Sequence, residues 1–260
     1  MKQKLKTLTM GLFLTLSVIS SGLSREHIPP FKTVTEGVEF REVLLEHPRA
    51  ISILQLRCDP GKVRFNLLLG TDRKAQRTAT AREMQKAFKQ IAVVNSSYFD
   101  DRERILGYAE RVGQVVNPQV AEDGIFSAFF YWDGRRAGFK RRGEALPKNV
   151  PVLFQSGPRL VWDSEAVFGL EETALANRSV LSVDDSGRVS IFVIGGASRV
   201  TLAELPKLLM APVDKGGVSS RRALNLDGGK STQFCLHTPQ KKTYLPGFVS
   251  VPVFLGVSRK

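Results

Sequence analysis

The chain has little cysteine and little histidine: two and three residues in 260. Cys58 and Cys235 form no CxxC, and His27, His47 and His237 are scattered, so no zinc-ligand cluster is present and a structural zinc site is not expected. Two cysteines leave two readings open, one disulfide in an oxidising compartment or two buried thiols. No serine stands in G-x-S-x-G, which argues against a serine hydrolase built on Ser156 or Ser231. Beyond the N-terminus no apolar run is long enough to cross a bilayer, so no transmembrane segment is expected in the mature chain. A P-loop is missing as well. "GGKST" (228–232) ends like one, but the first glycine of G-x-x-x-x-G-K-[ST] would fall at position 224, which is Leu224.

What is present begins with a basic start (Lys2, Lys4, Lys6), a short apolar run from about Leu8 to Ile19, and small residues Gly22 and Ser24 before Arg25. That pattern predicts a signal peptide over residues 1–24 and export, to the periplasm or beyond the cell. Its removal takes away three lysines and no acid, so the formal charge falls from +13 to +10. The remaining stretch, 25–260, suits one domain with a substantial core. Such a charge favours anionic partners: polyanionic envelope polymers, anionic lipid surfaces or phosphorylated substrates; export argues against nucleic acid. The sequence carries no signal for oligomeric state.

"FREVLL" (40–45), "ISILQLR" (51–57) and "VRFNLLL" (63–69) read as strands. "TATAREMQKAFKQI" (78–91) reads as a helix opened by a Thr80–Glu83 capping box. "IAVVN" (91–95), "FSAFFYW" (126–132), "VPVLFQ" (150–155), "RALNL" (222–226) and "VSVPVFLGV" (249–257) are further strands, and "GRRAGFKRRGEALPK" (134–148) reads as an exposed basic loop. "SVLSVDDSGRVSIFVI" (179–194) predicts a hairpin turning at Asp185-Ser186-Gly187. "TLAELPKLLM" (201–210) has a second capping box, Thr201 and Glu204. The expected architecture is a single β-rich α+β domain, with mixed or antiparallel sheet and at least two packed helices.

Three loops share one design, a buried strand running into small and polar residues: Asn95 to Asp100, Gln155 to Arg159, and Asn225 to Thr232. Rigid strand ends are common carriers of chemistry. Gly228 and Gly229 after Asp227 permit a tight turn and close approach of a ligand.

The ordered set "VVNSSYFD", "FQSGPRLV", "NRSVLSVDDSGRVSIFVI", "TLAELPKLL", "ALNLDGGKST" and "VPVFLGV" resembles the phosphodiester glycosidases, over roughly residues 91–257. That family includes a lysosomal enzyme that removes N-acetylglucosamine from a mannose phosphodiester, and many exported bacterial proteins. The chain departs from the family pattern at Ser96, often glycine, also at Ser97, and at Lys230, which replaces the third glycine of D-G-G-G-S. The resemblance implies an exported hydrolase of a sugar-1-phosphodiester linkage.

Such a reaction needs a carboxylate at the anomeric carbon and a cation for the departing phosphate. Asp227 is the expected essential carboxylate, as a base or a stabiliser of developing positive charge, with an Asx-type turn or a metal ligand as the other readings. Arg178 is the expected phosphate grip, or else a salt-bridged arginine opening a strand. Asp100 is either a second acid-base group or the brace of its own turn. Asn95 and Gln155 offer amides for sugar hydroxyls, and Ser156, Ser231 and Thr232 offer hydroxyls. Gly157, Asn225, Gly228, Gly229 and Lys230 complete the expected substrate contacts. No cofactor is expected. A divalent ion between Asp100 and Asp227, and a non-catalytic envelope protein binding anionic glycan on the same scaffold, are the alternatives.

Overall fold

The computed structural model describes residues 28–46, 48–73 and 76–260. The signal-peptide expectation for residues 1–24 lies outside them. Strands β1 (Lys32–Thr35), β2 (Val38–Leu45), β3 (Ile51–Cys58) and β4 (Val63–Leu69) precede helix α1 (Ala81–Ala87). After β5 (Ala92–Asn95) an insertion carries β6 (Ala109–Arg111), β7 (Gln114–Asn117), β8 (Ala128–Trp132) and β9 (Ala137–Arg141). β10 (Val152–Ser156), β11 (Arg159–Trp162) and β12 (Glu165–Ala166) lead to the hairpin of β13 (Arg178–Asp184) and β14 (Val189–Ile194). Then follow α2 (Leu205–Met210), β15 (Ser220–Asn225), β16 (Phe234–His237), β17 (Lys242–Leu245) and β18 (Val253–Arg259).

These strands form an eight-stranded sheet, β1-β2-β3-β14-β13-β15-β11-β12, and two five-stranded sheets, β7-β6-β10-β8-β9 and β17-β16-β5-β18-β4. Neighbouring strands pair antiparallel throughout. The expected α+β class is therefore corrected: the chain is largely β, with only two short α-helices of seven and six residues among the described residues. The capping box at Thr80 closes as expected, with Glu83 N–H on the Thr80 hydroxyl and Thr80 N–H on the Glu83 carboxylate. The helix nonetheless stops early. Phe88 caps it, Lys89 takes a positive φ of 49°, and Ile91 N–H turns to the Val257 carbonyl, joining the sheet. At the second box Thr201 and Glu204 exchange the same pair of bonds, but the helix starts only at Leu205, with Pro206 in its first turn where the missing N–H costs least.

The eight-stranded sheet is buried on both faces, and β3 shows why its sequence is apolar at every second position. Leu56 and Cys58 enter a main core shared by all three sheets, whereas Ile51 and Ile53 enter a second core under α2. In the main core Phe130 packs 5.9 Å from Phe65 and 5.5 Å from Phe154, joining the interior faces of the two five-stranded sheets. Each such buried ring contributes about 1.5–3 kcal/mol relative to exposure. The hairpin at 185–187 forms in the expected register, Val183 opposite Val189. The basic stretch after Trp132 is only in part a loop: Ala137–Arg141 form β9 and pair with β8, because Phe139 is apolar in a run of charge and is buried against Phe130, while 142–148 stay irregular.

Cys58 and Cys235 are both free and buried, the first in the main core and the second under α1. No helix among the described residues is long and apolar enough to cross a membrane.

Candidate functional site

The three loops singled out from sequence leave three different sheets and meet. Asn95 ends β5, Ser156 ends β10 and Asn225 ends β15. The seams are hydrogen bonds across long separations in sequence. Asn95 Nδ2 donates to the Asp227 carbonyl at 2.6 Å, and Asp227 N–H donates to the Ser96 carbonyl at 2.9 Å. Ser97 Oγ donates to the Gln155 carbonyl at 2.8 Å, and Ser156 Oγ to the Asn225 carbonyl at 3.0 Å. The start of β13 joins them: Leu226 N–H bonds Ser179 O and Gly229 N–H bonds Asn177 O.

Asp227 is the ionisable group at this junction. Its Oδ1 accepts from Gly228 N–H at 2.9 Å, and Ser231 also hydrogen-bonds its carboxylate. Burial outweighs both bonds and pushes its pKa up to about 6. The turn that holds it demands glycine twice. Gly229 has φ +58°, and a Cβ on Gly228 would stand 3.0 Å from the Asn177 carbonyl.

Arg178 is buried and makes no ion pair with a carboxylate among the described residues. Its Nε donates to Val200 O and its Nη2 to Ala174 O, which aims the rest of the guanidinium toward the Gly228 turn. Burial lowers its pKa, against the opposing pull of Tyr98 and Glu171, yet a guanidinium keeps its charge. Tyr98 feels both charges. Burial raises this phenol first and Asp227 raises it further, while the Asn225 hydrogen bond and Arg178 oppose the shift. Its hydroxyl donates to Gly157 O at 2.6 Å and accepts from Asn225 Nδ2 at 2.9 Å.

The other expected residues divide into two sets. Asn95 and Gln155 are spent inside the protein. Asn95 Oδ1 accepts from Ser179 Oγ and Gln233 N–H. Gln155 makes four side-chain bonds, to Tyr108, Phe126 and both backbone groups of Ala121, and so fastens the insertion to the site. Gly157 is there because a Cβ would meet the Ile125 carbonyl at 1.8 Å. Three other polar atoms are buried around the junction with no hydrogen-bond partner: Ser96 Oγ, Asn225 Oδ1 and Thr232 Oγ1. Buried polar atoms are rarely left so outside functional sites. Lys230 is exposed, while its carbonyl accepts from Phe248 and Val249 N–H and fixes the 246–250 loop beside it.

Asp100 stands apart from this network. Both of its oxygens are occupied in its own turn, by Arg102 N–H, Arg104 N–H and the Arg104 guanidinium, the last at 2.6 Å. The Arg104 bond first, and then the backbone bonds, hold its pKa below the usual carboxylate range. Among the described residues no group of three or more His, Cys, Asp and Glu is arranged to hold a metal ion.

Tyr98, Ser179 and Gln233 were not singled out from sequence. Gln233 is fully buried and takes Ala81 N–H at the start of α1 while donating to Ser231 O and Val249 O. Its only sequence signal was adjacency to Thr232; Tyr98's was its place inside the first loop.

The fold resembles several solved structures. A hypothetical protein from Synechocystis matches with TM-score 0.69 and 15% identity, over 89% of this chain and 64% of that one. The chain thus spans about two thirds of that protein's length. The zebrafish N-acetylglucosamine-1-phosphodiester alpha-N-acetylglucosaminidase catalytic domain, auto-inhibited by its pro-peptide, matches with TM-score 0.60 and 15% identity over 90% and 87% of the two chains. A protein from Burkholderia pseudomallei K96243, named for its expected export, matches with TM-score 0.59 and 12% identity over 80% and 74%. No curated protein matches this chain. The model of the phosphodiester glycosidase family matches residues 88–258, which include all three loops and both Asp227 and Arg178. The chain belongs to the phosphodiester glycosidase family.

Proposed function

We propose that the junction hydrolyses a sugar-1-phosphodiester linkage in an anionic glycoconjugate or envelope polymer, outside the cytoplasm. The observation that carries this is one junction holding both a carboxylate poised near neutrality and a buried guanidinium that makes no ion pair among the described residues. At neutral pH Asp227 is mostly ionised and still basic enough to take a proton, the compromise a general base requires. Arg178 supplies positive charge where the departing phosphate accumulates negative charge, and a phosphate monoester leaves without full protonation. Water attacks the anomeric carbon and gives its proton to Asp227. The bond from that carbon to the phosphate oxygen breaks, and its electron pair leaves with the phosphate. Ser96, Asn225 and Thr232 supply the unpartnered polar atoms that a sugar hydroxyl or phosphate oxygen would satisfy. Lys230 stands at the rim, in place to add charge. The signal pattern of residues 1–24 and the relative named for its expected export support work outside the cytoplasm.

The test is product formation by the purified protein on a panel of sugar-1-phosphodiesters, followed by mass spectrometry. Turnover is expected in the parent, with about 10²–10³-fold loss in Arg178→Ala. Folded Asp227→Asn and Arg178→Ala proteins that both turn over like the parent would overturn the assignment.

A further inference from the structure

A second concave surface lies away from the junction, between α1, the β16–β17 hairpin and the end of β18. It encloses about 1030 Å³, and no residue of the 95–100 or 225–232 loops lines it. Five cations do: Arg82, Lys86 and Lys89 from α1 and its C-terminal turn, Lys242 from β17 and Arg259 from β18. No Asp or Glu lines it. All five are exposed, and none is in an ion pair among the described residues.

Local structure does not require this concentration. Lys86 suits the C-terminal end of a helix, but Arg82 sits in the first turn, where the dipole favours acids. Arg82 and Lys86 are four apart, a like-charge spacing that weakly destabilises a helix. Lys89 holds positive φ, which glycine or asparagine would do with less strain. One cation is held by its side chain and another sits on a paired strand. The Arg82 guanidinium lies 3.7 Å from the centre of the Tyr244 ring, and β16 pairs His237 with Lys242. Hydroxyls of Thr35, Thr243 and Ser258 stand among them.

We propose that this groove binds a linear polyanionic glycan. A chain of charged sugars suits cations spread along a concave wall interspersed with hydroxyls. A membrane suits it less, because none of the exposed large apolar side chains, such as Phe168 or Phe248, lines the groove to insert into a bilayer. β16 runs from the Asp227 loop into the groove wall. The five residue-to-residue steps from Thr232 to His237 span about 17 Å of extended chain, so one polymer of a few sugar units reaches both sites.

The test measures anisotropy of a fluorescein-labelled dextran sulfate oligomer with the purified protein, beside neutral dextran, inorganic phosphate and phosphatidylglycerol vesicles. The oligomer should bind in a salt-sensitive way and neutral dextran should not. The triple variant Lys86→Glu, Lys89→Glu, Lys242→Glu should bind about tenfold or more weaker, through loss of released counterions and added repulsion. A matched triple elsewhere, Arg135→Glu, Arg136→Glu, Lys148→Glu, should change affinity by no more than about twofold. The glutamine version of the groove triple, checked by thermal unfolding, should show an intermediate loss. Equal losses from both triples, phosphate binding as tight as the oligomer, or binding to vesicles alone would each overturn the proposal. Hydrolysis of a small sugar-1-phosphodiester should be unchanged in the groove variants, so failure of the groove and failure of the Asp227 assignment are read separately.

Discussion

Asp100 and Asp227 end loops that look alike in sequence, a buried strand followed by small polar residues, yet the fold gives them opposite chemistry. Asp100 is half-buried beside Arg104, and the guanidinium with two backbone N–H groups holds it ionised. Asp227 is shielded by neighbours from three sheets, and burial raises it to about 6 in spite of its two hydrogen bonds. The lesson is that a carboxylate becomes useful as a base near neutrality when desolvation exceeds its local support, and desolvation is a property of what packs around it.

The largest effect that would break this contrast is on turnover. Asp227→Asn should lower kcat by about 10³-fold, whereas Asp100→Asn should stay within about threefold of the parent. In the parent, kcat/KM should rise with pH through about 6 as Asp227 ionises, and a flat profile there would remove it as the base. Next in size, Asn95→Ala should cost about 2–4 kcal/mol in denaturant unfolding, because it leaves Ser179 Oγ, Gln233 N–H and the Asp227 carbonyl buried without their partner.

Stability as a function of pH sharpens the contrast further. A carboxylate whose folded pKa is raised binds more protons folded than unfolded between its ordinary value of 3.8 and about 6, so stability falls as pH rises through that window. Asp227→Asn removes the penalty. It should be more stable than the parent by about 1–3 kcal/mol near pH 8, with the difference gone below about pH 4. Asp100 has the opposite sign: its lowered pKa contributes stability above its unfolded value, lost as pH falls. Because the Asp100–Arg104 pair lies at the surface, with the Arg104 side chain exposed, Asp100→Asn should shift the melting temperature only slightly, the smallest effect of the set.

Much of this fold was legible because it is written locally. The 185–187 turn, the Thr80–Glu83 box and the strands around 51–57 and 63–69 depend on neighbours a few residues apart, and each formed. The stretch 134–148 was misread because its charge hides one apolar residue, Phe139, whose burial needs β8 and Phe130 beside it. The helices are shorter than expected because their apolar spacing is real but short: a sheet hydrogen bond at Ile91 closes off the first, and the second, with Pro206 in its first turn, runs only from Leu205 to Met210.

The sequence by itself determined the strand-rich pattern, the glycine turn that presents Asp227, and the family. Tertiary structure alone decided which polar residues became internal fasteners and which kept free atoms. Asn95 and Ser179 are 84 positions apart and bond at 2.7 Å, while Gln155 and Ala121 are 34 apart and bond twice at 2.8 Å. A residue's type states which bonds it can make; only packing across sheets states which of them water, protein or substrate will supply.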